Sequence, residues 1–159
     1  MSLSIRSATR ADVPLILELI RALAEYEREP QSVKATQADL ERTLIDEGAI
    51  AYCVLCEEDG VALGFAVYFF SYSTWTGRNG IYLEDLFVRP EARGKGAGLM
   101  LLRHLAQIAV EKDCARFEWS VLDWNQPAID FYRAAGARPK EGWTVYRMDD
   151  QALVDFARG

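Results

Sequence analysis

The segment IYLEDLFVRPEARGKGAGLMLLRHLA, residues 81–106, constrains the fold more than any other part of the chain. Its first eight residues, Ile81–Val88, are rich in branched and aromatic side chains and read as a strand. Three glycines follow at alternate positions, Gly94, Gly96 and Gly98, and then an apolar run of helical period. That helix is expected to reach about Lys112 and to bury Leu99, Leu102, Leu105, Ala106 and Ala109 on one face. A strand that turns through glycine into an amphipathic helix belongs to a layered α/β architecture, because the helix must cross back over the sheet to bury its face.

The flanking sequence supplies the rest of the sheet. Leu3–Ala8 reads as a first strand, and Thr9 with Asp12 forms a capping box that opens a helix carrying Pro14 in its first turn. Val13, Ile16, Leu17, Ile20, Leu23 and Ala24 keep its apolar spacing. Thr36 with Asp39 opens a short second helix that ends near Gly48. Two strands, 49–58 and 61–70, flank the hairpin pair Asp59-Gly60, and a loop is expected over 71–80. A strand over 115–122, the turn DWNQP, a short helix over 128–136 and a last strand over 143–148 complete the order βααβββαβαβ. The expectation is a single domain, residues 1–159, of α/β (mixed α+β) class, with a mixed twisted sheet of six to seven strands and helices on both faces.

Composition narrows the function. A net charge of -6 argues against nucleic acid or an anionic membrane as partner and is compatible with a cationic substrate. Cys53 and Cys56 stand in C-x-x-C spacing, but on a strand their thiols point to opposite faces, and no second Cys/His pair completes a zinc site. An odd cysteine count, no apolar leader and no run approaching the ~20 residues of a membrane span give a cytoplasmic expectation without a metal. His104 is the only histidine and lies inside a helix, which disfavours Ser-His-Asp and Cys-His chemistry.

The glycine turn is an anion site in its own right, since free N–H groups and the helix dipole converge there. Leu99 breaks a G-x-G-x-x-G fingerprint, and the spacing of a nucleotide phosphate loop is absent as well. What remains is R-x-x-G-x-G, Arg93 to Gly98; a glycine-rich helix entry without a ligand is its plain alternative. Glu84 and Asp85 interrupt an apolar strand. Burial would raise a carboxyl's pKa toward the value that suits a general base, whereas pairing with an arginine would make it structural. Neighbours on a strand face opposite ways unless a bulge intervenes. Tyr132 reads as an aromatic core contact of a short helix, and Asn125 as a turn or capping residue.

Four stretches together resemble one family: LAEYE (Leu23–Glu27), YLEDLFVRPEARGKGAG (Tyr82–Gly98), VLDWNQPAIDFY (Val121–Tyr132) and GWTVYRM (Gly142–Met148). They are similar to the GNAT N-acetyltransferases, within these to the diamine (spermidine/spermine) branch, and more closely to its thialysine-acetylating relatives. The resemblance implies the GNAT fold and direct transfer of acetyl from acetyl-CoA to a primary amine in a ternary complex. The backbone of Arg93, Gly94, Lys95, Gly96, Ala97 and Gly98 would cradle the diphosphate. Leu86, Phe87 and Val88 would offer N–H groups to the thioester and pantetheine where the sheet splays. Asn125, Gln126, Pro127 and Ala128 would also contact the cofactor. Glu84 would accept the amine proton, through water or directly, and Tyr132 would protonate the leaving thiolate. Tyr26, Glu27, Ser73, Asp85, Glu118, Trp119 and Ser120 would bind the amine. Ser73 stands where polyamine-acetylating members tend to carry an acid, which favours a short lysine-like amino acid. A covered site beneath a long aromatic loop, Phe69–Trp75, is expected to favour a small molecule. The family tends to dimerise near its C-terminal strands, so a homodimer is expected. A polyamine acetyltransferase, a protein acetyltransferase and a CoA-binding domain without chemistry are the rival readings.

Overall fold

The computed structural model describes residues 2–159, in two compact units, one ending at Trp124 and one running Asn125–Gly159. In the first, five strands lie in the order β1-β2-β3-β4-β5: β1 is Leu3–Ser7, β2 Ala51–Glu58, β3 Val61–Ser73, β4 Arg78–Val88 and β5 Arg116–Glu118. The first four pair antiparallel and β5 joins β4 in parallel, so the sheet is mixed as expected. Both capping boxes form: Thr9/Asp12 opens a 3-10 turn that runs into α1, Val13–Tyr26, and Thr36/Asp39 opens α2, Gln37–Leu40. Asp59 and Gly60 both adopt positive φ, 52° and 79°, the twist a two-residue hairpin needs.

The core is built on alternation. Val13, Ile16, Leu17, Leu19 and Leu23 of α1 pack on Cys53, Leu55, Phe65, Val67 and Phe87, which all point to one face of the sheet. Burying such aliphatic side chains stabilises the unit by about 1.5–3 kcal/mol apiece before chain entropy is counted. Cys56 is buried too but lies outside that cluster, as opposite faces require, and both thiols are free. The helix α3, Ala97–Glu111, buries Ala97, Leu101, Leu102, Leu105 and Ala109. Leu99 is instead 38 % exposed, because the helix is turned so that Leu101 rather than Leu99 faces inward.

Three expectations are corrected here. Five strands are found among the described residues rather than six to seven: residues 143–148 have the alternation of a strand but are not assigned as one, and β5 is only three residues long. Residues 71–80 are largely strand, since β3 runs on to Ser73 and β4 starts at Arg78, so Phe69–Trp75 is no covering loop. The second unit holds α4, Gln126–Ala134, and a helix absent from the sequence reading, α5, Asp150–Arg158. Among the described residues no helix is long and apolar enough to cross a membrane.

Candidate active site

The ladder between β4 and β5 stops at Tyr82/Glu118, two residues before Glu84, while β4 stays paired with β3 as far as Val88. Beyond Tyr82, β5 no longer pairs with β4, so over Leu83–Val88 that edge of β4 is not covered by β5. At that point the register between β3 and β4 slips: Val67 faces Asp85 and Tyr68 faces Leu83, so Glu84 is the extra residue of a bulge. The bulge reverses the alternation. Asp85 shares the α1 face with Val67 and Phe87, and Leu83 takes the other.

The two acids thereby part company. Glu84 is exposed, whereas burial, then Glu84, then Glu27 push the Asp85 carboxyl up to about 7. Glu27, at the C-terminal end of α1, is itself raised by burial. Tyr26, Glu27, Glu84 and Asp85 thus gather where β4 leaves β5. The Tyr82 and Ser120 hydroxyls hydrogen-bond at 2.9 Å and Glu118 lies opposite Tyr82, which brings β5 residues to the same gap. Trp119 packs edge-on against Phe117, with ring centroids 4.9 Å apart. Ser73 is not part of this group: it ends β3 at the far hairpin, where its Oγ accepts from the Thr76 N–H at 3.3 Å.

At the other end of β4, the glycine turn opens α3. Gly94 and Gly96 adopt φ of 84° and 88°, in the left-handed region, with open space where a Cβ would stand. Met100 N–H donates to Gly96 carbonyl oxygen, so the N–H groups ahead of it have no helical partner and remain available to an anion. The side chains expected beside that anion are engaged elsewhere. Lys95 Nζ pairs with Glu58 at 2.9 Å. Arg93 folds back, its Nε donating to Val88 carbonyl oxygen at 3.2 Å and its guanidinium lying 5.1 Å from the Tyr26 ring and 5.8 Å from Phe87. The cradle is backbone, and that fits a diphosphate, which needs N–H donors at close approach. Among the described residues no cluster of His, Cys, Asp and Glu is placed to hold a metal.

In the second unit Asn125 is the N-cap of α4, its side-chain oxygen accepting from Ala128 N–H at 3.3 Å, with Pro127 in the first turn. Gln126 bonds Asp130 along the same helix at 2.7 Å. Tyr132 is half-buried, its ring 5.5 Å from Phe131. Three residues escaped the sequence reading of the site: Tyr82, Arg28 and Trp124. Arg28 stacks on Trp124, with its guanidinium carbon 3.9 Å from the ring centroid, and Trp124 lies 6.1 Å from Tyr26. The aromatic spacing in LAEYER and VLDWNQ was the available signal, but contacts between residues 26–28 and 124 are not local.

A strand edge lined with acids, beside a glycine-turned helix mouth, suits a cationic substrate and an anionic cosubstrate. The acetyltransferase (GNAT) family matches residues 16–137. A thialysine N-epsilon-acetyltransferase from Sus scrofa is 39% identical over 98% of both chains. An L-ornithine N5-acetyltransferase from Arabidopsis thaliana is 30% identical, over 94% of this chain and 85% of its own. A solved integron cassette protein from the mobile metagenome of V. cholerae superposes with a TM-score of 0.83 at 29% identity, over 100% of this chain and 99% of its own. The chain belongs to the GNAT acetyltransferases. It is an acetyl-CoA-dependent N-acetyltransferase of a small-molecule amine.

Proposed function

We propose that the amine is the ω-amine of a short, lysine-like amino acid such as thialysine, and that residues 1–159 act as one acetyltransferase domain. The observation that carries the reading is a half-buried carboxyl beside the bulge where β4 leaves β5, pushed up to about 7 by its surroundings. Relatives named for thialysine and ornithine align over 98% and 94% of the chain, and the family match runs across the boundary at Trp124/Asn125. Bound acetyl-CoA supplies the acetyl thioester. The backbone of Arg93–Gly98 holds the diphosphate, and the β4 edge at Leu86–Val88 offers N–H donors to the acyl end. Asn125–Ala128 contribute to the same cofactor through the mouth of α4.

The pair Glu84/Asp85 takes the proton from the substrate ammonium, directly or through water, with Asp85 the group that titrates near neutral pH and Glu84 holding its affinity for protons high. Tyr26, Glu27, Glu118, Trp119 and Ser120 line the amine's approach. Tyr132 gives its phenolic proton to the departing thiolate. The test is kcat/KM by thiol release across spermidine, spermine, thialysine, lysine, ornithine and a lysine peptide. Thialysine or another short amino acid leads if the reading holds, and a lead for spermidine overturns it. In the same assay Tyr132→Phe is expected to lower kcat about a hundredfold with acetyl-CoA affinity intact. Unchanged turnover removes Tyr132 from the mechanism.

The working unit is a homodimer in the cytoplasm. Trp143, Val145 and Tyr146 are 73, 84 and 93 % exposed, an apolar strand-like run that a second copy would cover. Sedimentation is expected to give a dimer for the native chain and a monomer for Val145→Glu/Tyr146→Glu. A native monomer at micromolar concentration refutes this.

A further inference from the structure

Arg28 follows Glu27 directly, at the end of α1, yet it makes no ion pair among the described residues. Its guanidinium carbon sits over the Trp124 ring, 3.9 Å from the centroid, close enough for the planes to stack. Such a stack occupies the face of the cation and leaves its in-plane N–H groups free for a planar anion. The backbone is held against preference to achieve this: φ at Arg28 is 66°, a left-handed position just beyond a helix that glycine or asparagine would take with less strain. Strain kept at the rim of a reaction cleft calls for a use. The arrangement around it is bipolar. Glu27, Glu84 and Asp85 form the negative pole, and Arg28, joined to it through the Trp124–Tyr26 ring contact, is a separate positive pole.

We propose that Arg28, stacked on Trp124, receives the α-carboxylate of the amino-acid substrate while the ω-ammonium faces Asp85, and so selects ω-amino acids over diamines. The inference rests on the small-amine reading above. A guanidinium fork binds a carboxylate through two parallel N–H···O bonds, which an ammonium end cannot accept. The adjacent α-ammonium stays in water at the exposed rim. Because this contact is remote from the reacting nitrogen and is made equally before and during reaction, its loss falls on KM rather than kcat.

The test compares thialysine with bis(2-aminoethyl) sulfide, the same chain without the carboxylate. The native enzyme is expected to favour thialysine at least tenfold in kcat/KM. Arg28→Gln should raise the thialysine KM ten- to a hundredfold, leave its kcat within about twofold, and leave the diamine's constants within twofold. Arg28→Gly relieves the left-handed backbone, so its melting temperature should stay level or rise while the selectivity is lost. An equal fall for both substrates in Arg28→Gln, or no fall for thialysine, overturns the assignment and leaves the acetyltransferase reading standing. A native enzyme that acetylates both amines equally does the same. Acetylation of neither overturns the small-amine reading together with this one.

Discussion

Asp85→Asn is expected to lower kcat/KM by about 10²–10⁴-fold and to abolish the acid limb of its pH profile. In the native enzyme that limb should lie near 7, where the half-buried carboxyl ionises. Glu84→Gln gives a different result, because Glu84 contributes to the rise at Asp85. Removing its charge should move the limb to lower pH while leaving substantial activity. If Glu84→Gln abolishes the limb and Asp85→Asn only displaces it, Glu84 is the proton acceptor and the assignment is reversed.

Stability should move the opposite way from activity. The folded state holds the Asp85 proton up to about 7, whereas the carboxyl's ordinary pKa is 3.8. A folded pKa above the unfolded one means that stability is full below pH 3.8 and is lost as pH rises through 7. The displacement corresponds to at most roughly 4 kcal/mol at pH 8. Asparagine carries no charge to desolvate, so Asp85→Asn should melt several degrees higher than the native chain at pH 8. The gain should shrink toward pH 4. A variant that is inactive and also less stable at pH 8 would show that Asp85 serves the fold.

The parts of this molecule that were legible in its sequence are the ones that local chemistry decides. Thr9/Asp12 and Thr36/Asp39 close their capping boxes within four residues, and Asp59-Gly60 turns within two. The opposite facing of Cys53 and Cys56 follows from strand alternation alone. The R-x-x-G-x-G turn before α3 was equally readable. What was not legible depends on register between segments far apart in sequence. That Glu84 is the bulged, exposed residue, and Asp85 the half-buried one on the α1 face, is decided where β4 aligns with β3. Lys95 finds Glu58 from β2, and Arg93 turns to Tyr26, so a sequence that places both cations beside the glycines does not place their charges on the ligand. Residues 143–148 have the alternation of a strand, but alternation alone does not decide whether a segment is built into a sheet.

That backbone cradle leads to the second large effect. Gly96→Val is expected to weaken acetyl-CoA binding about a hundredfold or more, with a smaller loss of stability. At φ 88° a β-branched residue is strained by about 1–2 kcal/mol, which for a chain of this size is a few degrees in melting temperature. Relieving that strain rotates the first peptides of α3 away from the anion, and the new side chain enters space now open to a ligand. Lys95→Ala makes the contrast. Its ammonium is held by Glu58 at 2.9 Å, a surface pair worth no more than about 1 kcal/mol, so acetyl-CoA affinity should change by no more than about threefold. Calorimetric titration of both variants decides between backbone and side chain. If Lys95→Ala costs as much as Gly96→Val, the ammonium leaves Glu58 to hold the diphosphate, and the cradle is electrostatic rather than conformational.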